Sequence, residues 1–171
     1  LQLKRGIEIS GRVINEAQQP VADATVWAGR KFSRERQETK SDAQGRFKFR
    51  NLNEGKVDFS VSADGYAPAT KSQAVSARAG EVLFQLVKGS VIRGTVQDES
   101  GQPIGGVRVA LAGSPGDPAY DAYEFSTTTD AEGKFEWKGT PNSPMPFYFG
   151  KTGYEQKRDQ RLKPGVDNIV T

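Results

Sequence analysis

A chain of 171 residues, 26% charged and 35% apolar, is long enough for one domain or two small ones and too apolar for disorder. Its net charge of +3 is spread over alternating basic and acidic residues, without the concentrated basic face that nucleic-acid binding needs. Cys and His are both absent, which excludes disulfides, thiolate nucleophiles, Cys/His zinc sites and histidine triads.

In chain order, the first residues "LQLKRGIEISG" lie on "FQLVKGSVIRG" (84–94), so residues 1–4 read as the end of an earlier repeat or as an N-terminal strand. "IEISGRVI" then alternates apolar with polar, and "NEAQQPV" turns. "ADATVWA" sets Ala24, Val26 and Ala28 on one face and leaves Trp27 on the other. The most basic run, "GRKFSRERQETK" (29–40), reads as a solvated strand and loop rather than a phosphate-binding patch. "GRFKFRNL" points Phe47 and Phe49 inward, "KVDFSVSA" does the same with Val57, Phe59 and Val61, and "EVLFQLV" closes the unit.

The same order of phrases then returns. Gly11 and Pro20 recur as Gly94 and Pro103, 83 residues on. Asp42, Gly45, Phe47 and Phe49 recur as Asp130, Gly133, Phe135 and Trp137, 88 residues on, and "ADGY" recurs as "KTGY". The change of offset places a five-residue insertion between Gly113 and Thr129. The predicted boundaries are 1–88 and 89–171, the second copy being cut short at its C-terminus, as in a fragment of a longer tandem array. The link "VKGS" (87–90) is too short for free swivelling, so the pair is expected to be semi-rigid.

Period-2 alternation with frequent Gly and Pro predicts an all-β protein: two tandem antiparallel Greek-key β-sandwiches of about seven strands each. In the twice-written Asp-Ala-x-Gly phrase, Asp42 and Asp130 can accept backbone N–H bonds two residues on, and Gly45 and Gly133 accept positive φ. These four are structural turn residues. A calcium loop would need several more oxygen ligands, so no metal or other cofactor is expected.

The order G-x-V, x-Q-P-V/I, T/S-D-A-x-G-x-F and G-Y, found twice, resembles the carboxypeptidase regulatory-like domain, a transthyretin-type β-sandwich. In the first copy Gly11, Val13, Pro20, Val21, Ala24, Val26, Asp42, Gly45, Phe47, Gly65 and Tyr66 carry the likeness. In the second copy Gly94, Val96, Pro103, Ile104, Val109, Asp130, Gly133, Phe135, Gly153 and Tyr154 carry it. Val107 in place of Ala24 and the Pro-rich "GTPNSPMPF" (139–147) depart from the pattern. The resemblance implies an accessory module of peptidases, outer-membrane transporters or large bacterial surface proteins, without catalytic residues of its own.

The expected function is therefore non-catalytic: a spacer and interaction module of a larger bacterial exported or surface protein. A carboxylate pair or a Ser/Lys nucleophile would be the remaining enzymatic options, but the carboxylates fall at turns and strand surfaces. A Lys–Asn crosslink of the pilin type is not expected, because the first strands lack Lys, and Lys4 and Asn168 fall in different copies. The alternative function is carbohydrate binding through surface aromatics. Candidate ligand-binding residues are Trp27, for which packing between domains is the first reading, exposed binding the second and a core position the last, and Tyr120, Asp121 and Tyr123 of the insertion. Trp137 shares the parity of Phe135 and reads as core.

Expected partners are other domains of the same polypeptide, with a polysaccharide or cell-surface protein as further candidates. Nucleic acid and direct membrane insertion are not expected, since no apolar run approaches the roughly 18 residues of a span. The location is expected to be extracellular, cell-surface or periplasmic. Its targeting signal would lie outside this sequence, because "LQLKRGIEIS" is not a signal peptide.

Overall fold

The structure, a computed structural model, describes residues 5–31, 33–113 and 123–171. The chain divides into two compact units, Leu1–Lys88 and Gly89–Thr171. The first contains β1 (Ile7–Asn15), β2 (Thr25–Ala28), β3 (Gln37–Lys40), β4 (Arg46–Leu52), β5 (Gly55–Ser62), β6 (Ala69–Val75) and β7 (Val82–Leu86). The second contains β8 (Ser90–Val96), β9 (Arg108–Leu111), β10 (Ser126–Thr128), β11 (Lys134–Thr140), β12 (Met145–Gly150), β13 (Lys157–Leu162) and β14 (Asp167–Val170). Among the described residues no helix is long and apolar enough to cross a membrane.

Each unit is a β-sandwich of one three-stranded and one four-stranded sheet. The orders are β4-β1-β7 with β3-β2-β5-β6, and β11-β8-β14 with β10-β9-β12-β13. The two sheets of the first unit share one core: Val13, Phe47, Phe49, Val82, Phe84 and Leu86 from one meet Val26, Phe59, Val61 and Val75 from the other. The second core repeats this with Ile92, Val96, Val109, Phe135, Phe147, Phe149 and Val170. Pairing is antiparallel except at the closing strands. Parallel registers run from Gly11↔Val82 to Asn15↔Leu86 and from Asp167↔Arg93 to Val170↔Val96.

Close approaches dictate several residues. Gly11 is paired with Phe47 across β1 and β4, and a Cβ on Gly11 would meet Phe47 Cζ at 2.2 Å and the Val82 carbonyl oxygen at 2.3 Å. The ring thus occupies the space that a side chain would fill. Gly94 and Phe135 repeat the pair, with a looser approach of 2.9 Å to the ring and 2.7 Å to the Asn168 carbonyl oxygen.

The duplicated turn is docked as well as tied. Asp42 Oδ1 accepts the N–H groups of Gln44 (2.9 Å) and Arg46 (2.8 Å), and Gly45 lies at φ 70°. The Gly45 carbonyl accepts Val13 N–H at 2.7 Å, so close that a Cβ there would stand 2.3 Å from the Val13 carbonyl oxygen. In the second unit Asp130 Oδ1 accepts Lys134 N–H at 2.7 Å, and Gly133, at φ 72°, accepts Val96 N–H at 2.8 Å. The turn therefore clasps the first strand of its own unit.

A buried hydroxyl ahead of each turn ties the end of the preceding strand to the segment that leads into its neighbour in the same sheet. Ser41 Oγ accepts Ala24 N–H at 2.9 Å and donates to the Val21 carbonyl at 2.8 Å. Thr129 Oγ1 accepts Val107 N–H and donates to the Ile104 carbonyl, both at 2.9 Å. Loss of such a buried acceptor leaves an orphan N–H that costs about 1–3 kcal/mol.

At the far end of β4, Asn51 adopts φ 61° where the register with β1 shifts, which returns Leu52 to the core. Its counterpart Gly139 (φ 72°) marks the same shift on β11, at the start of the Pro-rich departure. Asn and Gly are the residues that tolerate this left-handed geometry best.

Overpacking predicts a graded outcome in urea unfolding. Gly11→Ala should destabilise the first unit by about 1–3 kcal/mol, and Gly94→Ala should cost the second unit less. Gly80→Ala, where a Cβ meets nothing within 4 Å, should be neutral or slightly stabilising.

Candidate functional site

Trp27 stands on the outer face of the four-stranded sheet, between Glu38 on β3 and Ser60 on β5. Val26 and Ala28, its neighbours in sequence, are buried beneath, so alternation alone turns the indole outward. The ring is half-buried and lies outside the core cluster. Its Nε1–H donates to Glu38 Oε2 at 2.9 Å, and the Arg36 guanidinium carbon lies 4.9 Å from the ring centroid. Asp58 continues the same face, bonded to the Ser72 hydroxyl and 3.9 Å from Arg30. The result is an aromatic ring framed by a carboxylate and a guanidinium. Cations favour such ring faces by electrostatic attraction to the π-system.

The second aromatic group closes one margin of the second sandwich. Trp137 points inward, half-buried, and stacks on Phe125 at 5.0 Å between centroids with 23° between the planes. Both rings meet Phe147 edge-on, and Tyr123 meets Trp137 edge-on at 6.4 Å. Burial pushes the Tyr123 phenol above its ordinary value, because the charged form loses hydration there. Tyr123 is thus built into the sandwich margin. Tyr120 and Asp121 lie outside the described residues.

A third feature had no sequence signal beyond a turn. Asn15 Oδ1 accepts the N–H groups of Ala17 (3.0 Å) and Gln19 (2.9 Å). Asp98, at the equivalent place, accepts those of Ser100 and Gln102, both at 2.9 Å, and the Ser100 hydroxyl at 2.6 Å. The Ser100 hydroxyl first, and then the Gln102 backbone N–H, hold the Asp98 carboxyl below its ordinary value. This turn borders an open groove of about 640 Å³ lined by Ile104, Phe149, Lys151 and Tyr154. Lys151 Nζ donates to the Gly105 carbonyl at 2.6 Å and lies 5.5 Å from the Tyr154 ring.

Among the described residues no three carboxylates converge as metal ligands would. Lys4, considered for a crosslink, lies outside the described residues. The Asn168 amide donates to the Arg93 and Lys163 carbonyls at 2.8 and 3.0 Å, which fixes β14 to β8.

The fold and its repeated devices define a tandem of two seven-stranded β-sandwiches. The sequence model of the carboxypeptidase regulatory-like domain matches residues 8–87 and again 91–171. The chain belongs to that family, in two copies.

Among solved structures it is similar to the Bacillus anthracis TIE protein, with 14% identity, TM-score 0.43, and coverage of 98% of this chain and 34% of that one. It is also similar to a streptococcal ancillary pilin, with 14% identity, TM-score 0.43, and coverage of 96% and 60%. The minor pilin of Streptococcus agalactiae gives 11% identity, TM-score 0.42, and coverage of 96% and 94%. The chain therefore spans only a part of the first two proteins. No curated protein matches the chain.

The two equivalent turns differ in charge, and this gives a test. A carboxyl depressed in the folded state adds stability above its unfolded value, and that stability is lost as pH falls through the folded value. Below about pH 4 the second unit should therefore lose the Asp98 contribution, while the uncharged Asn15 turn keeps its own. With Trp137 reporting the second unit in a Trp27→Phe background, Asp98→Asn should shrink that acid sensitivity. The acid response of the first unit, read through Trp27 in a Trp137→Phe background, should be unchanged by Asp98→Asn.

Proposed function

We propose that the chain is a non-catalytic spacer and interaction module of a larger bacterial protein that is exported or displayed at the cell surface. One observation carries the reading: the two units repeat the devices that hold a sandwich together and differ in their outward groups. The Gly–Phe pair, the docked Asp turn, the buried hydroxyl and the positive-φ residue next to the end of β4 and β11 all occur twice. Trp27, by contrast, has Ala110 as its counterpart, and the insertion belongs to the second copy alone. What is duplicated is scaffold, and its immediate partners are the neighbouring domains of the same polypeptide. Fold alone fixes no chemistry, so the reading rests on this pattern.

Replacement separates a spacer from a recognition surface. In the protein that carries it, this tandem is exchanged for an unrelated rigid tandem of equal length, beside a clean deletion. A spacer predicts that the activity or display of the remaining domains survives exchange and falls on deletion. Loss in both variants would mean that the surface itself is needed.

A second reading, polysaccharide binding, is favoured by the half-exposed indole of Trp27 beside the Glu38 carboxylate. Sugar rings pack apolar C–H faces on such rings while carboxylates take their hydroxyls. Against it, Arg36 already lies over the ring and Glu38 already holds the indole N–H. In affinity gels containing soluble polysaccharides the protein should migrate unretarded. Retardation abolished by Trp27→Ala would instead establish a sugar site there.

A further inference from the structure

We propose that each unit is built to bear tension along the chain, through a shear clamp formed by its first and last strands. The inference rests on the spacer reading and adds to it a mechanical role. The chain enters the first unit at β1 and leaves it at β7, and these strands are neighbours that run parallel. The same is true of β8 and β14. In a parallel pair the entry end of one strand and the exit end of the other lie at opposite ends of the ladder. Pulling on the two chain ends therefore slides the strands along each other and loads their hydrogen bonds together. An antiparallel terminal pair would place both ends at one side and peel bond by bond.

Local contacts reinforce the ladder in both units. Under the β1/β7 pair, Val13, Val82, Phe84 and Leu86 are buried and keep water from one side. The exit of β7 is pinned beyond the strand, where Ala67 N–H donates to the Val87 carbonyl at 3.0 Å and Tyr66 bridges Lys88. In the second unit side chains fasten the pair: Asn168 Nδ2 donates to the Arg93 carbonyl at 2.8 Å, and Arg93 pairs with Asp167. Gln97 N–H donates to the Val170 carbonyl at 2.9 Å and extends the ladder.

Two exposed apolar residues, otherwise out of place, fall on the same pair. Leu83 is 49% exposed opposite Arg12, and Ile169 is 68% exposed opposite Thr95. They occupy the same position in the two units, on the water side of the clamp. There an apolar side chain limits water access to the bonds under load.

Single-molecule pulling on the whole chain tests this, because the absence of native cysteine lets handles be placed at will. Arg5→Cys with Lys88→Cys loads the first unit in the direction of the chain. Ser10→Cys with Glu81→Cys pulls the β1/β7 pair apart from one end. Unfolding force should be several-fold higher in the first geometry at equal loading rate. Equal or lower force in that geometry would overturn the clamp while leaving the spacer reading untouched. In the second unit, handles at Gly89→Cys and Thr171→Cys should report a lower force once Asn168→Ala is added. An unchanged force there would remove Asn168 from the clamp.

Discussion

An aromatic ring lying across a glycine, Phe47 over Gly11 in the first unit and Phe135 over Gly94 in the second, is the contact on which each sandwich depends. β1 is the central strand of its sheet, flanked by β4 and β7, and at Gly11 it is squeezed by both neighbours at once. A side chain at that point would displace either the aromatic that anchors the core or the carbonyl of the closing strand. With glycine there, Phe47 reaches Phe49 and Phe84 in edge-on and tilted contacts, and Phe49 reaches Phe59 in the opposite sheet. One missing side chain thereby couples both sheets. Such aromatic cover also offsets the weakness of glycine in a strand interior.

The repeat shows which interactions need a particular residue and which need only a function. The φ > 0 position of the first turn is Gln18 in one copy and Gly101 in the other. The shift near the end of the fourth strand is met by Asn51 in one and Gly139 in the other. The turn anchor is a neutral amide at Asn15 and a carboxylate at Asp98. Geometry is kept while charge and side chain vary, as expected when the backbone is what must be held. The docked Gly45 and Gly133 do not vary, because there a Cβ would meet a carbonyl oxygen at 2.3–2.4 Å.

Local features were legible in the residues; nonlocal ones were not. The alternation around Phe47, Phe49, Phe59 and Phe84 and the Asp42 and Asp130 turns are written in stretches of a few residues. β6 and β13, reading ATKSQAV and KRDQRL, escape the same reading because they are edge strands with a single buried residue each. Their polar faces protect an open edge, and that protection erases the alternation that would have marked them. The parallel course of β7 was invisible too, since an alternating strand looks the same whichever way its neighbour runs. Trp27 was readable as an outward ring. Its capping was not, because Arg36 reaches it from a segment whose charges looked merely solvated.

The parallel closing strand has a consequence in time as well. β1 cannot complete its ladder until β7 exists, and the two lie at opposite ends of the unit's chain. Contacts between such distant segments are the slow ones, formed after the loop-closure entropy of everything between has been met. As the polypeptide is synthesised, the ladder of each unit's first strand stays incomplete until the final strand arrives. β14 completes the second unit by the same pairing, independently of the first. In each unit the segment that completes the central strand's ladder is thus the last of that unit to be made.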